Sequence, residues 1–256
     1  MKIIGIIPAR MASTRFPGKP LAPICGIPMV GHILLRSRMS KSLDGVYVAC
    51  CDTSVEEYVA TLNSKVVMTS DKHERATDRT AEAMIKIEKE TGKTIDIVVM
   101  IQGDEPLVTP ALIDALVKPM QENESIQITN LISTIDDEEE FNSPNAVKVV
   151  MDTAGNALYF SREPIPSVKK FDGTFPRFKQ LGIIAFRRSF LLKFNSLTPT
   201  PLEKIESVDM LRILENGLKI KLVLSPDKIY SVDTPEDLMH VEKLMVSDPL
   251  LKNYKN

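Results

Sequence analysis

The chain has 256 residues, 43% of them hydrophobic and 26% charged, and its 32 Lys and Arg against 34 Asp and Glu leave a net charge of −2. This composition is typical of a globular α/β protein with a full core. It excludes a disulfide-stapled miniprotein and the strongly basic surface of many nucleic-acid-binding proteins. No apolar run is long enough to span a bilayer, so we expect no membrane partner. Three cysteines, two of them adjacent, indicate a cytoplasmic protein.

Short apolar runs alternate with helical patterns along the first half of the chain. The run at residues 3–7, which stops at Pro8, is typical of a strand buried on both faces. Further strands are predicted at 46–50, 66–69 and 95–101, with helices at 29–38, 55–62 and 79–90. The alternation predicts a mostly parallel, doubly wound α/β sheet, in which ligands bind at the carboxyl ends of the strands.

The second half of the chain combines one clear helix with a less regular segment. A helix is predicted after Thr109-Pro110, because Ile113, Leu116, Val117 and Met120 recur at helical spacing. Strands are predicted at 126–133, 146–151, 181–186 and 219–224, and helices at 202–215 and 235–245. Residues 142–178 are rich in Pro, Gly, Ser and aromatic residues, and we interpret them as an excursion within a single domain of residues 1–256. This excursion would line a second substrate site or a subunit contact.

The loop after the first strand carries three cations within ten residues, namely Arg10, Arg15 and Lys19. Cations that converge at the carboxyl end of a strand suit a polyphosphate, since each can make charge-assisted hydrogen bonds. A Walker loop is excluded, because Pro20 stands where Ser or Thr is required. The loop therefore predicts a triphosphate site, and ordinary exposed charges are the alternative.

Two acidic motifs are predicted at the same edge. Gln102-Gly103-Asp104-Glu105-Pro106 follows a strand, and Val232-Asp233-Thr234-Pro235 opens the last helix. Carboxylates of this kind bind magnesium, although Asp233 has helix capping as an alternative role. With the cationic loop they favour phosphoryl or nucleotidyl transfer, in which Mg²⁺ lies between the phosphates and the acceptor.

The motifs, taken in order along nearly the whole chain, resemble those of the 3-deoxy-manno-octulosonate cytidylyltransferase family. The matching segments are residues 8–21, 68–70, 77–82, 102–106, 145–150, 157–162 and 232–238. The resemblance implies a nucleotide-diphospho-sugar transferase-like fold, with the excursion serving sugar binding and dimerisation. It implies a cytoplasmic homodimer that makes CMP-Kdo and pyrophosphate from CTP and 3-deoxy-D-manno-octulosonate (Kdo) for lipopolysaccharide synthesis, with Mg²⁺ as cofactor.

The resemblance also implies the roles of individual residues. The catalytic residues would be Arg10, Lys19, Asp104 and Asp233, and Asp104 and Asp233 would bind the metal. The nucleotide would be bound by Ala9, Arg10, Ser13, Arg15, Lys19, Met68, Ser70 and Gln102. The sugar would be bound by Arg79, Gln102, Arg162, Gln180, Asp209 and Met210, with Arg162 on its carboxylate.

The chain departs from the family pattern at several pocket positions. Arg75-Ala76 stands where the family has Ser-Gly, Gln180 where it has His, and Asp209-Met210 where it has Glu-Gln. A site built around a hydrogen bond discriminates strongly against ligands that lack it, so the acceptor is either Kdo or a close variant such as 8-amino-Kdo. The alternatives are a nucleotidyltransferase for another acid sugar or a phosphonate, and a non-catalytic nucleotide-binding module.

Overall fold

The structure is a computed structural model that describes residues 1–12 and 16–255. Its strands are β1 (Ile3–Pro8), β2 (Pro23–Ile24), β3 (Ile27–Pro28), β4 (Gly45–Cys50), β5 (Lys65–Met68), β6 (Ile97–Ile101), β7 (Ile128–Thr134), β8 (Lys148–Met151), β9 (Ala157–Ser161), β10 (Phe178–Arg187) and β11 (Lys221–Leu224). Its α-helices are α1 (Met29–Ser37), α2 (Thr53–Thr61), α3 (Ala76–Thr91), α4 (Pro110–Glu122), α5 (Glu138–Asn142), α6 (Arg188–Ser196), α7 (Pro201–Glu206), α8 (Leu211–Glu215) and α9 (Pro235–Val246). Two 3-10 turns, Lys19–Leu21 and Pro249–Asn253, complete the described elements.

The main sheet has the order β11-β7-β10-β6-β1-β4-β5. The strand β1 is central and pairs in parallel with β4 and β6, while β10 inserts antiparallel between β6 and β7. The prediction of a mostly parallel α/β sheet is therefore confirmed. The carboxyl ends of β1 and β6 meet at one edge, and the amino end of β10 lies at that same edge because β10 runs the other way.

Helices cover both faces of the sheet, and the side chains of β1 pack into the core on each face. All six residues of β1 are buried. Ile3 and Ile7 belong to the core cluster under α1, α4 and α9, whereas Ile4 and Ile6 belong to the cluster under α3, α6 and α8. Because side chains alternate across a strand, a continuous apolar run is what a strand covered on both faces requires.

Two predicted elements differ from the structure, and one helix was not predicted. The segment 142–178 is only partly an excursion, because β8 and β9 form a hairpin that joins the sheet through β10. The single helix predicted at 202–215 is two helices, since Ser207 adopts a left-handed backbone with φ of +53° between α7 and α8. The helix α6 was not predicted at all. None of the described helices has the length and apolar character needed to cross a membrane.

Candidate active site

A groove opens at the carboxyl edge of the sheet, between the ends of β1 and β6. Its lining residues come from the loop after β1, the segment before α3, the motif after β6 and the segment before α9. They are Pro8, Ala9, Arg10, Lys19, Pro20, His73, Glu74, Arg75, Ala76, Arg79, Gln102, Gly103, Asp104 and Asp233. Both acidic motifs and the cationic loop predicted from the sequence thus contribute to one groove.

The centre of the groove is an ion cluster around Lys19. The ammonium Nζ lies 3.0 Å from Asp104 Oδ2 and 3.5 Å from Asp233 Oδ1, and it donates to the main-chain oxygen of Val232 at 2.9 Å. Gly18, with φ of +77°, turns the chain into the 3-10 turn that begins at Lys19. Two carboxylates that reach one ammonium are close enough to share one cation.

Two glycines bring the polar groups of the groove together. A Cβ on Gly103 would lie 2.9 Å from the main-chain oxygen of Pro8, so only glycine lets the motif after β6 approach the end of β1. A Cβ on Gly182 would lie 2.9 Å from the side chain of Gln102, whose main-chain N–H donates to the Gly182 oxygen at 3.0 Å. The placement of Gln102 and Asp104 therefore depends on close backbone packing against β1 and β10.

Glu105 is a buried carboxyl directly behind the groove. Its Oε1 accepts hydrogen bonds from Gly182 N at 3.1 Å and from Ser231 Oγ at 2.9 Å, while Oε2 has no partner among the described residues. Burial, with the negative charge of Asp104 beside it, raises the pKa of Glu105 to about 7. The residue ties β10 and the segment before Asp233 to the motif after β6.

Arg79 and the pair His73–Glu82 lie beside the cationic loop. Arg79 is almost fully buried and donates from Nη1 to Thr69 Oγ1, while its Nη2 has no described partner. Glu82 contacts His73 Nε2 and accepts from Ser70 N at 3.0 Å. Burial alone would raise the pKa of Glu82, but hydrogen bonds from Lys86, Ser70 and His73 lower it to about 2.

Arg75 is paired on the outer side of the groove. Its guanidinium contacts Glu203, a nearly fully buried carboxylate that also accepts two 2.7 Å hydrogen bonds from Arg212. The first turn of α3 is held as well, because Asn195 donates to Thr77 O at 3.1 Å. Arg75 and the start of α3 are therefore anchored to α7 and α6.

A second depression continues the groove past Gln102 and Asp104. It is lined by Gln102, Asp104, Glu105, Asn145, Val147, Arg162, Gln180, Leu181, Gly182, Ile184, Ser207, Val208, Asp209, Ser231 and Asp233, and we call it the acceptor pocket. It holds several oxygen acceptors and one arginine. Its position next to the shared carboxylates suits a second substrate that meets the first at Asp104 and Asp233.

Arg162 is held in the acceptor pocket by main-chain oxygens. Its guanidinium donates to Glu206 O and Pro144 O, both at 2.7 Å, and to Ser207 O at 3.3 Å. The buried ammonium of Lys148 contacts Arg162 O, and Glu206 accepts from Arg162 N at 2.8 Å. Three of the five guanidinium N–H groups are engaged in this way, which leaves two that can donate to a carboxylate.

Comparison with known proteins identifies the family. The family model described as "Cytidylyltransferase" matches residues 4–220. The 3-deoxy-manno-octulosonate cytidylyltransferase of Geobacter metallireducens is 45% identical over 255 residues, which cover 95% of this chain and 98% of the relative. The protein of the same name from Syntrophobacter fumaroxidans is 43% identical, with 97% and 98% covered. This chain belongs to the cytidylyltransferase family.

Solved structures agree with this assignment. A CMP:2-keto-3-deoxy-manno-octonic acid synthetase complexed with CTP superposes with a TM-score of 0.88 at 36% identity, covering 96% of this chain and 99% of that one. A cytidylyltransferase from Leptospira borgpetersenii, at 22% identity and a TM-score of 0.63, shares the fold. The resemblance inferred from the sequence motifs, and the nucleotide-diphospho-sugar transferase-like fold, are confirmed.

Most of the predicted site residues of this cytidylyltransferase lie on the connected groove and acceptor pocket. The groove contains Ala9, Arg10, Lys19, Arg79, Gln102, Asp104 and Asp233, and the acceptor pocket contains Gln102, Asp104, Arg162, Gln180, Asp209 and Asp233. Arg79, predicted on the sugar side, lines the groove and not the acceptor pocket. Ser13 and Arg15 lie outside the described residues.

Three predicted positions do not line these two depressions. Met210 was predicted to bind the sugar, but its side chain is fully buried in the core cluster under α8 and does not line either depression. Met68 and Ser70 are absent from the lining of the groove, and Ser70 N is engaged by Glu82. Asp209, which directly precedes Met210 in the turn before α8, does line the acceptor pocket.

Three residues that support the site were not predicted from the sequence. Glu206 and Lys148, which fix Arg162, and Glu105 received no role of their own. Lys148 and Glu105 each lie inside a segment that carries the family resemblance, which was a usable signal. Glu206 had none, since the contact joins parts of the chain 44 residues apart.

The donor set fits magnesium better than a transition metal. Asp104 and Asp233 both contact the Lys19 ammonium, and within residues 1–12 and 16–255 no group of three His, Cys, Asp or Glu is arranged to hold a metal. Magnesium is commonly bound by one or two carboxylates together with substrate phosphates and water. These two hard oxygen donors, next to a cationic groove, meet that requirement.

Proposed function

We propose that this protein transfers the cytidylyl group of CTP to the anomeric hydroxyl of Kdo and forms CMP-Kdo and pyrophosphate. The observation that carries the proposal is the contact of Lys19 with both Asp104 and Asp233 at the junction of the groove and the acceptor pocket. The relatives named for this reaction cover nearly the whole chain, which supports the same chemistry here.

The groove supplies the nucleotide side of the reaction. Arg10 and Lys19 bind the triphosphate, and Arg15 and Ser13 of the same loop complete this set. The side chains of Arg10 and Lys19 already lie in the groove before the negatively charged phosphates bind, so they need to move little during the reaction. Asp104 and Asp233 would hold Mg²⁺, which would supply neutralisation of the phosphate charge and a lower pKa of the sugar hydroxyl. Ala9, Met68 and Ser70 were assigned to the nucleotide by resemblance, and only Ala9 lines the groove.

The acceptor pocket binds and orients the sugar. Arg162 receives the carboxylate of the acid through its two remaining N–H groups, and Gln102 lies at the boundary with the nucleotide. The anomeric oxygen forms a bond to the α-phosphorus, the bond from that phosphorus to the bridging oxygen of pyrophosphate breaks, and the hydroxyl proton is released. Holding the two substrates in line accounts for much of the catalysis in transfers of this kind.

A close variant of Kdo is the second candidate acceptor. Gln180 and Asp209 both lie in the acceptor pocket, and both differ from the residues usual in the family. An amino-substituted acid such as 8-amino-Kdo would find hydrogen-bond acceptors there. Another acid sugar or a phosphonate is less well supported, and a non-catalytic module has no use for two carboxylates placed at the junction of two pockets.

We further propose that the protein is a cytoplasmic homodimer in lipopolysaccharide synthesis. Leu158 on β9 and Ile205 on α7 are exposed by 59% and 76%, which supports a subunit contact in this part of the chain. The three cysteines are free, as expected in a reducing compartment. Sedimentation velocity of the wild type and of Leu158→Glu would show whether a dimer forms there; a monomeric wild type would contradict it.

The function is tested by pyrophosphate release from purified protein with Mg²⁺ and CTP. The acids to compare are Kdo, 8-amino-Kdo and sialic acid, with a reaction lacking acceptor and with UTP or ATP in place of CTP. We expect turnover with CTP and Kdo or its amino variant and none without acceptor. Turnover with sialic acid alone, or with UTP or ATP in preference to CTP, would contradict the proposal.

A further inference from the structure

A buried asparagine lies in the middle of the sheet, behind the acceptor pocket. Asn130 is on β7, opposite Ile184 of β10, and it is fully buried. The pairing of β7 with β10 is interrupted by a register shift between Gln180 and Ile184. The Asn130 amide nitrogen donates to Leu131 O and Leu181 O at 3.0 Å and approaches Ile183 O at 3.4 Å.

These contacts fix which way the Asn130 amide faces. If the amide were turned over, its oxygen would lie about as close to main-chain oxygens that can only accept, and buried acceptors without donors are costly. The amide nitrogen therefore stays on the oxygens of the irregular stretch of β10. The Asn130 oxygen is left to accept from another group.

That group is the side chain of Gln180. Gln180 Nε2 donates to Asn130 Oδ1 at 2.7 Å, and a turned-over Gln180 would set two carbonyl oxygens against each other at this distance. Its Nε2 is thus committed to Asn130. No described residue donates to Gln180 Oε1, and Gln180 lines the acceptor pocket.

We propose that Asn130 holds Gln180 with its oxygen available to the acceptor pocket, so that this pair selects acceptors with a hydrogen-bond donor at that point. This inference rests on the proposed function and deepens it. The donor is a hydroxyl or a protonated amine, and a group that only accepts a hydrogen bond is rejected. Gln180 is the specificity-determining residue, and Asn130 is a positioning residue that acts through it.

The remaining surface of the pocket agrees with this polarity. Asp209 presents a carboxyl group to it, beside Asp104 and Asp233, the two carboxylates proposed to hold the metal. Arg162 is the described cationic side chain in the lining. A polyhydroxylated acid fits this lining, with its carboxylate on Arg162 and its hydroxyl groups donating elsewhere in the pocket. An ammonium group in place of one hydroxyl fits equally well.

The test compares Kdo with its monodeoxyfluoro analogues at C4, C5, C7 and C8. Fluorine is close to a hydroxyl in size but cannot donate, so the wild type should prefer Kdo over one of these analogues by tenfold or more in kcat/KM. Gln180→Leu should lose most of that preference through a higher KM for Kdo, while the KM for CTP stays within twofold. The exposed Gln121→Leu is the matched control and should behave as the wild type.

The variant Asn130→Leu distinguishes the positioning role of Asn130 from the direct contact that Gln180 makes with the acceptor. It frees Gln180 to turn its amide, so the preference for hydroxyl over fluorine should fall although Gln180 is still present. If Gln180→Leu keeps the full preference at every position, the proposal is wrong. If Asn130→Leu folds and keeps it, the positioning role is wrong.

The amide orientation can also be measured without any acceptor. In the ¹⁵N-labelled protein, the Gln180 side-chain amide, assigned by its loss in Gln180→Leu, should show slow exchange and contacts to Asn130 protons. A Gln180 amide that exchanges freely in the wild type would overturn the proposal. If none of the acids is turned over while the amide is held as described, the proposed function fails and the orientation of Gln180 stands.

Discussion

Lys19 and Asp104 are 85 positions apart, yet Lys19 Nζ lies 3.0 Å from Asp104 Oδ2. The same ammonium donates to Val232 O, and Val232 N donates back to Asp104 O at 2.9 Å. The cationic loop and both acidic motifs are therefore joined at one point. The ammonium of Lys19 and the carboxylates of Asp104 and Asp233 neutralise each other there, which lowers the cost of placing these charges at a partly buried edge of the sheet.

Replacing Asp104 by Asn should abolish turnover and leave the fold intact. The amide keeps the size of the side chain but removes the charge that holds a divalent cation. Pyrophosphate release with Mg²⁺ and CTP measures the activity, and circular dichroism during heating measures the fold. Asp136→Asn, at an exposed pair with Lys228, is the matched control and should retain activity. Full activity of the Asp104→Asn variant would refute the metal role.

Stability should depend on pH through Glu105. Burial and the neighbouring Asp104 raise the pKa of Glu105 from its usual 4.5 to about 7, so between these values the folded protein keeps a proton that the unfolded chain releases. The free energy of unfolding should therefore fall as pH rises from 4.5 to 7, by at most about 1.4 kcal/mol per pH unit from this group.

Urea unfolding at several pH values between 4.5 and 8, with the metal chelated, measures this dependence. Glu105→Gln should remove the contribution, since an amide does not titrate, while its oxygen still accepts from Gly182 N and Ser231 Oγ. An unchanged pH profile in the variant would show that Glu105 is ionised in the folded protein throughout this range.

Glu203→Gln should destabilise the protein by about 3 to 5 kcal/mol, because it leaves Arg212 buried without its carboxylate. Both side chains are nearly fully buried, and the pair is bidentate. Arg75→Ser should cost much less, since Arg75 is partly exposed and Arg212 keeps its partner. Urea unfolding compares the two variants with the exposed control Glu139→Gln. Equal losses in Arg75→Ser and Glu203→Gln would contradict this order.

Cys25→Asn should stabilise the protein by about 0.5 to 1 kcal/mol. Cys25 and Gly26 form the two-residue turn between β2 and β3, with φ of +48° and +82°. Such turns strongly favour Asn-Gly, because Asn tolerates the left-handed region better than most residues. The main-chain N–H of Cys25 donates to the Glu242 side-chain oxygen Oε1 at 2.7 Å, and this hydrogen bond should survive because it does not involve the thiol. Thermal unfolding measures the shift, and Cys25→Val, branched at Cβ, should move it in the opposite direction.

The sequence predicted the parts of the fold that local patterns control. Apolar runs located β1, β4 and β6, and Thr109 with Pro110 located the start of α4, where Thr109 Oγ1 accepts from Leu112 N as expected. The break at Ser207 was not predictable, because a left-handed serine carries no local signal. Of the hairpin of β8 and β9 only β8 was predicted, and the pairing that joins the hairpin to the sheet is made with β10, farther along the chain.

The candidate site divides in the same way. Charged residues in motifs, such as Lys19 and Asp104, could be named because their chemistry is visible in the sequence. The burial of Met210 could not be predicted, because the side of the turn before α8 that faces the core depends on packing. The hydrogen bond from Gln180 to Asn130 depends on the register of β7 against β10, which shifts between Gln180 and Ile184. No sequence pattern predicts such a shift.

The central claim is that the anomeric oxygen of the acid attacks the α-phosphorus of CTP. Kdo labelled with ¹⁸O at the anomeric hydroxyl, incubated with the protein, Mg²⁺ and CTP, tests it by mass spectrometry and ³¹P NMR of the products. We predict that the label remains in the bridge between phosphorus and sugar of CMP-Kdo and that the pyrophosphate is unlabelled. Absence of a CMP-sugar, or loss of the label from the bridge, would contradict the account.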